Sequence, residues 1–256
     1  MSTTTTTRTT ACLAKLDRMN KTLRHEEADR VPISDFYWGS FLERWRADLG
    51  LPAGTDIYKY YDLDWTVTIP NLDPHIKRFE VLREDENEVV VRTGFEAIIR
   101  KKLADPMPAF LHFETDTMEK VAAFQFDDPW DERRWFAAGD NQLAGVGDGF
   151  ARNSPPWIET VKLLHPDIPV YGSVCEAHET LWRIIGSENV MLWIGLYPDE
   201  LGRFIERIGE FCVELTKAQI KAAGGLIDGM VVWGDVAYRK DVFFSPRYWR
   251  KYFKQV

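Results

Sequence analysis

Between Ile168 and Gly186 the spacing of the apolar residues changes from that of a buried strand to that of a helix. This switch constrains the fold more than any other stretch. Ile168-Pro169-Val170-Tyr171 is a short apolar run bounded by Pro166-Asp167 and by Gly172, the length and flanks of a buried strand. Small and polar residues follow. His178, Leu181, Trp182 and Ile185 then recur at helical spacing, with Glu179 and Arg183 four apart on the other side in the favourable order. Gly186 ends the helix as a C′ glycine. Downstream, Gly229-Met230-Val231-Val232-Trp233 repeats the pattern as a strand, followed by Gly234-Asp235 and a loop to Ser245. Ser245-Pro246 supplies an N-cap and a first-turn proline for a helix over 247–254. Strand, polar loop and helix in succession predict an α/β chain with a parallel sheet.

The same reading places helices over 15–27, 41–49, 56–61, 116–124, 127–136, 156–164 and 188–194, and a long one over 198–223. It places two further parallel strands over 31–35 and 65–69. Residues 79–93 read as a β-hairpin, with 95–102 as a third antiparallel strand. The glycine-rich 139–154 reads as a loop. Its Gly145-x-Gly147-x-Gly149 run is no dinucleotide fingerprint, because no strand precedes it.

Four parallel strands, near 31–35, 65–69, 168–173 and 229–234, give the expected architecture. It is a (β/α)8 TIM-barrel type truncated to about the first four βα units, with a rim β-hairpin insertion. Val31, Ile33, Met230, Val231 and Val232 would then lie on open strand edges. The expectation is a fragment that needs a second chain or a second copy, a possible homodimer. Residues 1–14, rich in threonine, read as a disordered tail, and 15–256 as the barrel domain.

Net charge of −8 argues against nucleic acid or an anionic membrane as partner. No apolar run reaches membrane-spanning length. Three cysteines far apart, Cys12, Cys175 and Cys212, make no disulfide framework, and the expected location is cytoplasmic.

Several short motifs occur in a telling order. Met19-Asn20-Lys21-Thr22-Leu23-Arg24 leads to Asp29-Arg30-Val31-Pro32. Phe126-Asp127-Asp128-Pro129, Gly186-Ser187-Glu188-Asn189 and Tyr197-Pro198-Asp199-Glu200 follow. Ala223-Gly224, Val231-Val232-Trp233-Gly234-Asp235 and Phe244-Ser245-Pro246 close the series. Over residues 19–254 this order resembles the N-terminal part of the uroporphyrinogen decarboxylase superfamily, (β/α)8 barrels that include corrinoid and thiol methyltransferases. The resemblance implies a tetrapyrrole or corrinoid small molecule, or a corrinoid protein, as partner. It also implies zinc in the methyltransferase relatives, bound in later strands than this chain contains. The decarboxylases carry an arginine-rich loop after the first strand, to hold substrate carboxylates. Here that loop is Asp35-Phe36-Tyr37-Trp38-Gly39-Ser40, without arginine before Arg44. Methyl transfer is therefore the expected chemistry, with uroporphyrinogen decarboxylation or a non-catalytic binding module as alternatives.

Candidate catalytic residues are Glu176 and Asp235, at strand C-terminal ends where a barrel's pocket lies, and Asp73, by its match to the family's aspartate after the second strand. Candidate substrate-binding residues are Asp35, Tyr37 and Trp38 after the first strand and His178 on the helix. Trp182 joins them as the position near the family's helix tyrosine. Cys175-x-x-His178 reads either as half a metal site, completed by Asp235, or as a buried cysteine beside a helix-capping histidine.

Overall fold

A computed structural model describes residues 7–77, 79–102, 105, 107–141 and 151–256. In chain order it contains helices α1 (Thr10–Leu23), α2 (Gly39–Asp48) and α3 (Ile57–Tyr60), then strand β1 (Thr66–Val67). Strands β2 (Glu80–Glu84), β3 (Glu88–Arg92), β4 (Ala97–Lys102) and β5 (Ala109–Phe113) follow. Next come α4 (Met118–Ala123), α5 (Arg133–Phe136), β6 (Gly139–Asn141), β7 (Ala151–Ser154) and α6 (Trp157–Leu164). The last part is β8 (Val170–Cys175), α7 (Ala177–Ile185), α8 (Ser187–Leu196), α9 (Pro198–Ala223), β9 (Gly229–Trp233) and α10 (Pro246–Tyr248), ending in a π turn over Trp249–Phe253.

The chain is mixed α/β, with a parallel sheet in the order β1-β8-β9 and a separate antiparallel sheet in the order β2-β3-β4-β5. The described residues form no closed barrel. The expected strands at 168–173 and 229–234 lie side by side, with Ser173 opposite Val231. All six residues of β8 are buried, as befits a strand covered on both faces. β9 is an open edge, and Val232 is 65% exposed.

β1 covers only Val170 and Tyr171 of β8. Past that point Gln219 of α9 takes the place of a strand. Its Oε1 accepts from the Ser173 amide at 2.8 Å and its Nε2 donates to the Ser173 carbonyl at 2.9 Å. Gly172 makes room for it, because a Cβ there would overlap the Gln219 amide.

Residues 31–35 are not a strand of the sheet, and the reason is local. Pro32 has no amide hydrogen, and the Ile33 amide donates to the Asp64 carboxylate at 2.7 Å instead of to a neighbouring backbone. Only the bond from the Asp64 amide to the Ile33 carbonyl (2.8 Å) resembles pairing. Asp64 is fully buried and receives Arg18, bonded in turn to Asp29, and both arms of Arg30 at 2.6 and 2.9 Å. The Asp29-Arg30-Val31-Pro32 motif thus folds into a salt-bridged elbow.

The hairpin read over 79–93 is β2–β3, with β4 as its third strand. A fourth strand, β5, was not anticipated; it follows two prolines and is largely exposed. β6 and β7 pair where a loop was expected, because both are short and polar; the Gly145–Gly149 run lies outside the described residues. The tail expected to be disordered through residue 14 is helical from Thr10, and Arg8 bonds Asp228 at 2.8 Å. α9 begins and ends where its periodicity predicts, with Gly224 left-handed at φ +58°. Its apolar stripe of Leu201, Phe204, Ile205, Ile208 and Leu215 packs the main core. Among the described residues no helix is long and apolar enough to cross a membrane.

Candidate active site at the ends of two parallel strands

Glu176 follows β8 directly and caps α7. Its carboxylate accepts from the amides of His178 and Glu179, both at 2.7 Å. Its own amide donates to the Trp233 carbonyl at the end of β9 (2.9 Å). Gly234 packs against it so closely that a Cβ there would meet Glu176 Cγ at 2.5 Å. Burial raises the Glu176 carboxyl to about 7 against the lowering effect of the two amide bonds, and the neighbouring acids Glu179 and Asp235 add to the rise. A carboxyl group with that pKa can either give or take a proton near neutrality.

α7 is buried on nearly every side, so the Glu179–Arg183 pair is not the solvent-facing pair that its spacing suggests. Glu179 Oε1 accepts from Arg183 Nη2 at 2.7 Å and Oε2 from Trp182 Nε1 at 2.9 Å. The Arg183 guanidinium also lies 6.0 Å from the Phe95 ring, which brings the antiparallel sheet against this helix. Oε2 of Glu179 additionally accepts from the Asp235 amide at 3.3 Å. His178 is buried, and its Nδ1 is 2.8 Å from the Asp235 carbonyl oxygen. A carbonyl only accepts, so Nδ1 carries the hydrogen and the neutral ring keeps its lone pair on Nε2. Burial lowers the His178 pKa and favours this neutral state.

Of the residues singled out in the sequence, Glu176, His178, Trp182 and Asp235 come together. The others do not join them. Asp73 is fully buried beneath Gly94, and Arg134 donates to its carbonyl at 2.8 Å. A carboxylate enclosed in this way belongs to the interior of the fold. Asp35, Tyr37 and Trp38 belong to an aromatic cluster on the α2–α3 side. Tyr37 stacks on Phe41 at 5.7 Å, Tyr58 donates to the Asp35 carbonyl at 2.8 Å, and Trp38 lines a shallow cavity with Arg44 and Met107.

Sequence reasoning missed Glu179, which links Trp182, Arg183 and Asp235. Its helical offset from Arg183 was visible, but not the burial that makes the pair matter. A separate cavity of about 690 Å³ lies beyond the end of β1, lined by Thr68, Asn71, Trp157 and Thr160 among others. It does not reach Glu176.

The residues present do not fit zinc. Cys175 is buried in the core with its thiol pushed well up by desolvation, the opposite of a metal-binding thiolate. Asp235 meets His178 through its carbonyl, not its carboxylate. Among the described residues no group of three or more His, Cys, Asp or Glu side chains is placed to hold a metal ion. No family model, curated protein or solved structure gives a significant match to the chain.

Proposed function

We propose that the chain is an N-terminal part of a uroporphyrinogen decarboxylase superfamily protein, a truncated (β/α)8 barrel that acts with a corrinoid or tetrapyrrole partner. Its chemistry in this reading is methyl transfer rather than decarboxylation. The consecutive parallel order β1-β8-β9, with helices between β8 and β9, supports the barrel part. One observation carries the chemical part. The strand-end site gathers three acids, Glu176, Glu179 and Asp235, and its guanidinium, Arg183, is already bonded to Glu179. A substrate bearing several carboxylates meets repulsion here, while a neutral thiol meets a group able to accept its proton. In the reaction proposed, the carbon–sulfur bond forms as the methyl–cobalt bond of a methylcorrinoid breaks. The electron pair stays with the corrinoid, and the thiol proton goes to the Glu176 carboxylate. No step is routed through zinc.

The test is incubation of the purified chain with methylcobalamin and a small thiol. The expected result is loss of methylcobalamin absorbance with formation of the methyl thioether, slowed by about tenfold or more in Glu176→Gln. Release of coproporphyrinogen from uroporphyrinogen, without demethylation of the corrinoid, would reverse the assignment. The open edge of β9 favours a second reading, a binding module that works as a homodimer. A monomer in sedimentation at micromolar concentration excludes it.

A further inference from the structure

His178 Nε2 is buried without a hydrogen-bond partner. The Nδ1–H bond to the Asp235 carbonyl fixes the ring, so the unused lone pair is aimed in one direction. Three phenylalanine rings pack against the imidazole, with ring centroids at 5.0 Å for Phe244 and 5.5 Å for Phe243 and Phe253. An unused acceptor held among apolar rings is costly, so its persistence calls for an explanation.

Two of these rings, Phe243 and Phe244, belong to residues 234–245. That segment is bonded mainly to itself. Ala237 bridges Val242, Tyr238 donates to the Asp241 carbonyl at 2.8 Å, and Phe243 donates to the Val236 carbonyl at 3.2 Å. Residues 235–242 are exposed throughout. Its hydrogen bonds to α7, among the described residues, run through Asp235 alone, to His178 and to Glu179. Gly234 begins the segment and Ser245-Pro246 ends it, so small or turn-forming residues mark both of its ends. An internally bonded segment on so few tethers moves as one piece.

We propose that residues 236–245 form a flap that lifts from α7 while Asp235 stays bonded to His178, and that it uncovers His178 Nε2 as the hydrogen-bond acceptor for an O–H, N–H or S–H donor on a ligand with an apolar or aromatic body. The phenylalanine rings select the body of the ligand and the imidazole selects its donor. Glu176 lies on the other side of Gly234, within reach of the same strand end. The inference deepens the proposed function by naming what holds the acceptor substrate, and it rests on that reading for its site. Its test uses no methyl transfer, so failure of the reaction and failure of the flap are separate results.

The test has two parts on the whole chain. Diethyl pyrocarbonate labels an imidazole through its lone pair, and the exposed His25 and His112 serve as internal standards. His178 is expected to label about tenfold or more slowly than those two, at a rate that low urea does not change, the signature of local opening. Gly234→Ala pushes the base of the flap from Glu176 and is expected to raise the His178 rate about fivefold or more. Phe244→Leu serves the same purpose if that variant does not fold. In the second part, phenol is the probe and toluene the control of similar size without a donor. Phenol is expected to move the ring ¹⁵N resonance of His178 Nε2 and to protect it from labelling, and toluene to do neither. Labelling that rises with urea as steeply as global unfolding overturns the flap. An equal response to phenol and toluene overturns the acceptor role.

Discussion

The two ends of the β8–β9 pair use the same residue types to opposite effect. At the N-terminal end, Asp228 accepts from Arg8 at 2.8 Å and from the Val170 amide at 2.9 Å, while its own amide donates to the Val170 carbonyl at 2.7 Å. His165 Nδ1 lies 2.8 Å from the Leu226 carbonyl and 3.0 Å from Arg8. The acid there has a cation, and the histidine's Nδ1 has both a carbonyl and a guanidinium within hydrogen-bonding distance, of which its tautomer selects one. At the C-terminal end, Glu176 has acids as its electrostatic neighbours, and both His178 Nε2 and Trp233 Nε1 are buried without partners. One end is satisfied and the other is not. That division is expected of a parallel sheet whose strand starts hold the fold and whose strand ends meet ligands.

The largest expected effect breaks the satisfied end. Asp228→Ala leaves the Arg8 guanidinium and the Val170 amide without their acceptor, and both are largely buried. The expected loss is about 3–5 kcal/mol, the usual cost of removing one partner of a buried pair. Urea unfolding measures it. A loss below about 1 kcal/mol, the range of exposed pairs, would mean that this end is not the fold's anchor.

The next prediction sharpens the contrast through pH. Glu176 is raised from 4.5 to about 7, so between those values the folded chain binds more protons than the unfolded one. Its contribution to stability is full below about pH 4.5 and is lost as pH rises through about 7. Asp29 and Asp131, each lowered to about 2 by a bonded arginine, act in the other direction: their contribution is present above the unfolded value and is lost as pH falls toward 2. His178, lowered by burial, opposes Glu176: its contribution is present above the usual histidine value and is lost as pH falls, so the Glu176 share is read from a variant rather than from the parent's optimum. Glu176→Gln is expected to stabilise the chain by about 1–2 kcal/mol at pH 8 and by roughly nothing at pH 4.5. Thermal unfolding across that range checks both values, and equal effects at the two pH values would refute the assignment of the shift to Glu176.

What could be read from the sequence follows from whether a residue's fate is local. The strand-to-helix switch at 168–186 and the stripe of α9 depend on near neighbours, and both were legible. So were the positions of Glu176, directly after β8, and Asp235, one glycine beyond β9. Asp73 was not, because its burial depends on Gly94 and Arg134, 21 and 61 residues away. Residues 31–35 have the composition of a strand, but Asp64 captures the Ile33 amide, and no local pattern announces that. The importance of Glu179 likewise comes from the antiparallel sheet that closes over α7, brought there by Phe95.

The smallest expected effect compares a helix cap at each end. Thr9 caps α1; its hydroxyl accepts from the Cys12 amide at 3.1 Å, and its own amide donates to the Pro166 carbonyl at 2.9 Å, at the satisfied end. Ser245 caps the three-residue α10 at the far hinge of the flap, through a longer bond of 3.4 Å from the Tyr248 amide. Thr9→Ala is expected to cost about 1 kcal/mol, and Ser245→Ala only about half of that, since the cap is exposed and its bond long. The local readouts should divide the other way. Thr9→Ala leaves the flap's tethers intact, so His178 labelling by diethyl pyrocarbonate should stay at the parent rate. Ser245→Ala loosens a hinge of the flap beside His178 and should raise that rate about two- to threefold despite its smaller cost in global stability. If both variants changed labelling in proportion to their stability loss, the strand ends would belong to one cooperative unit, and the separation between a holding end and a working end would fail.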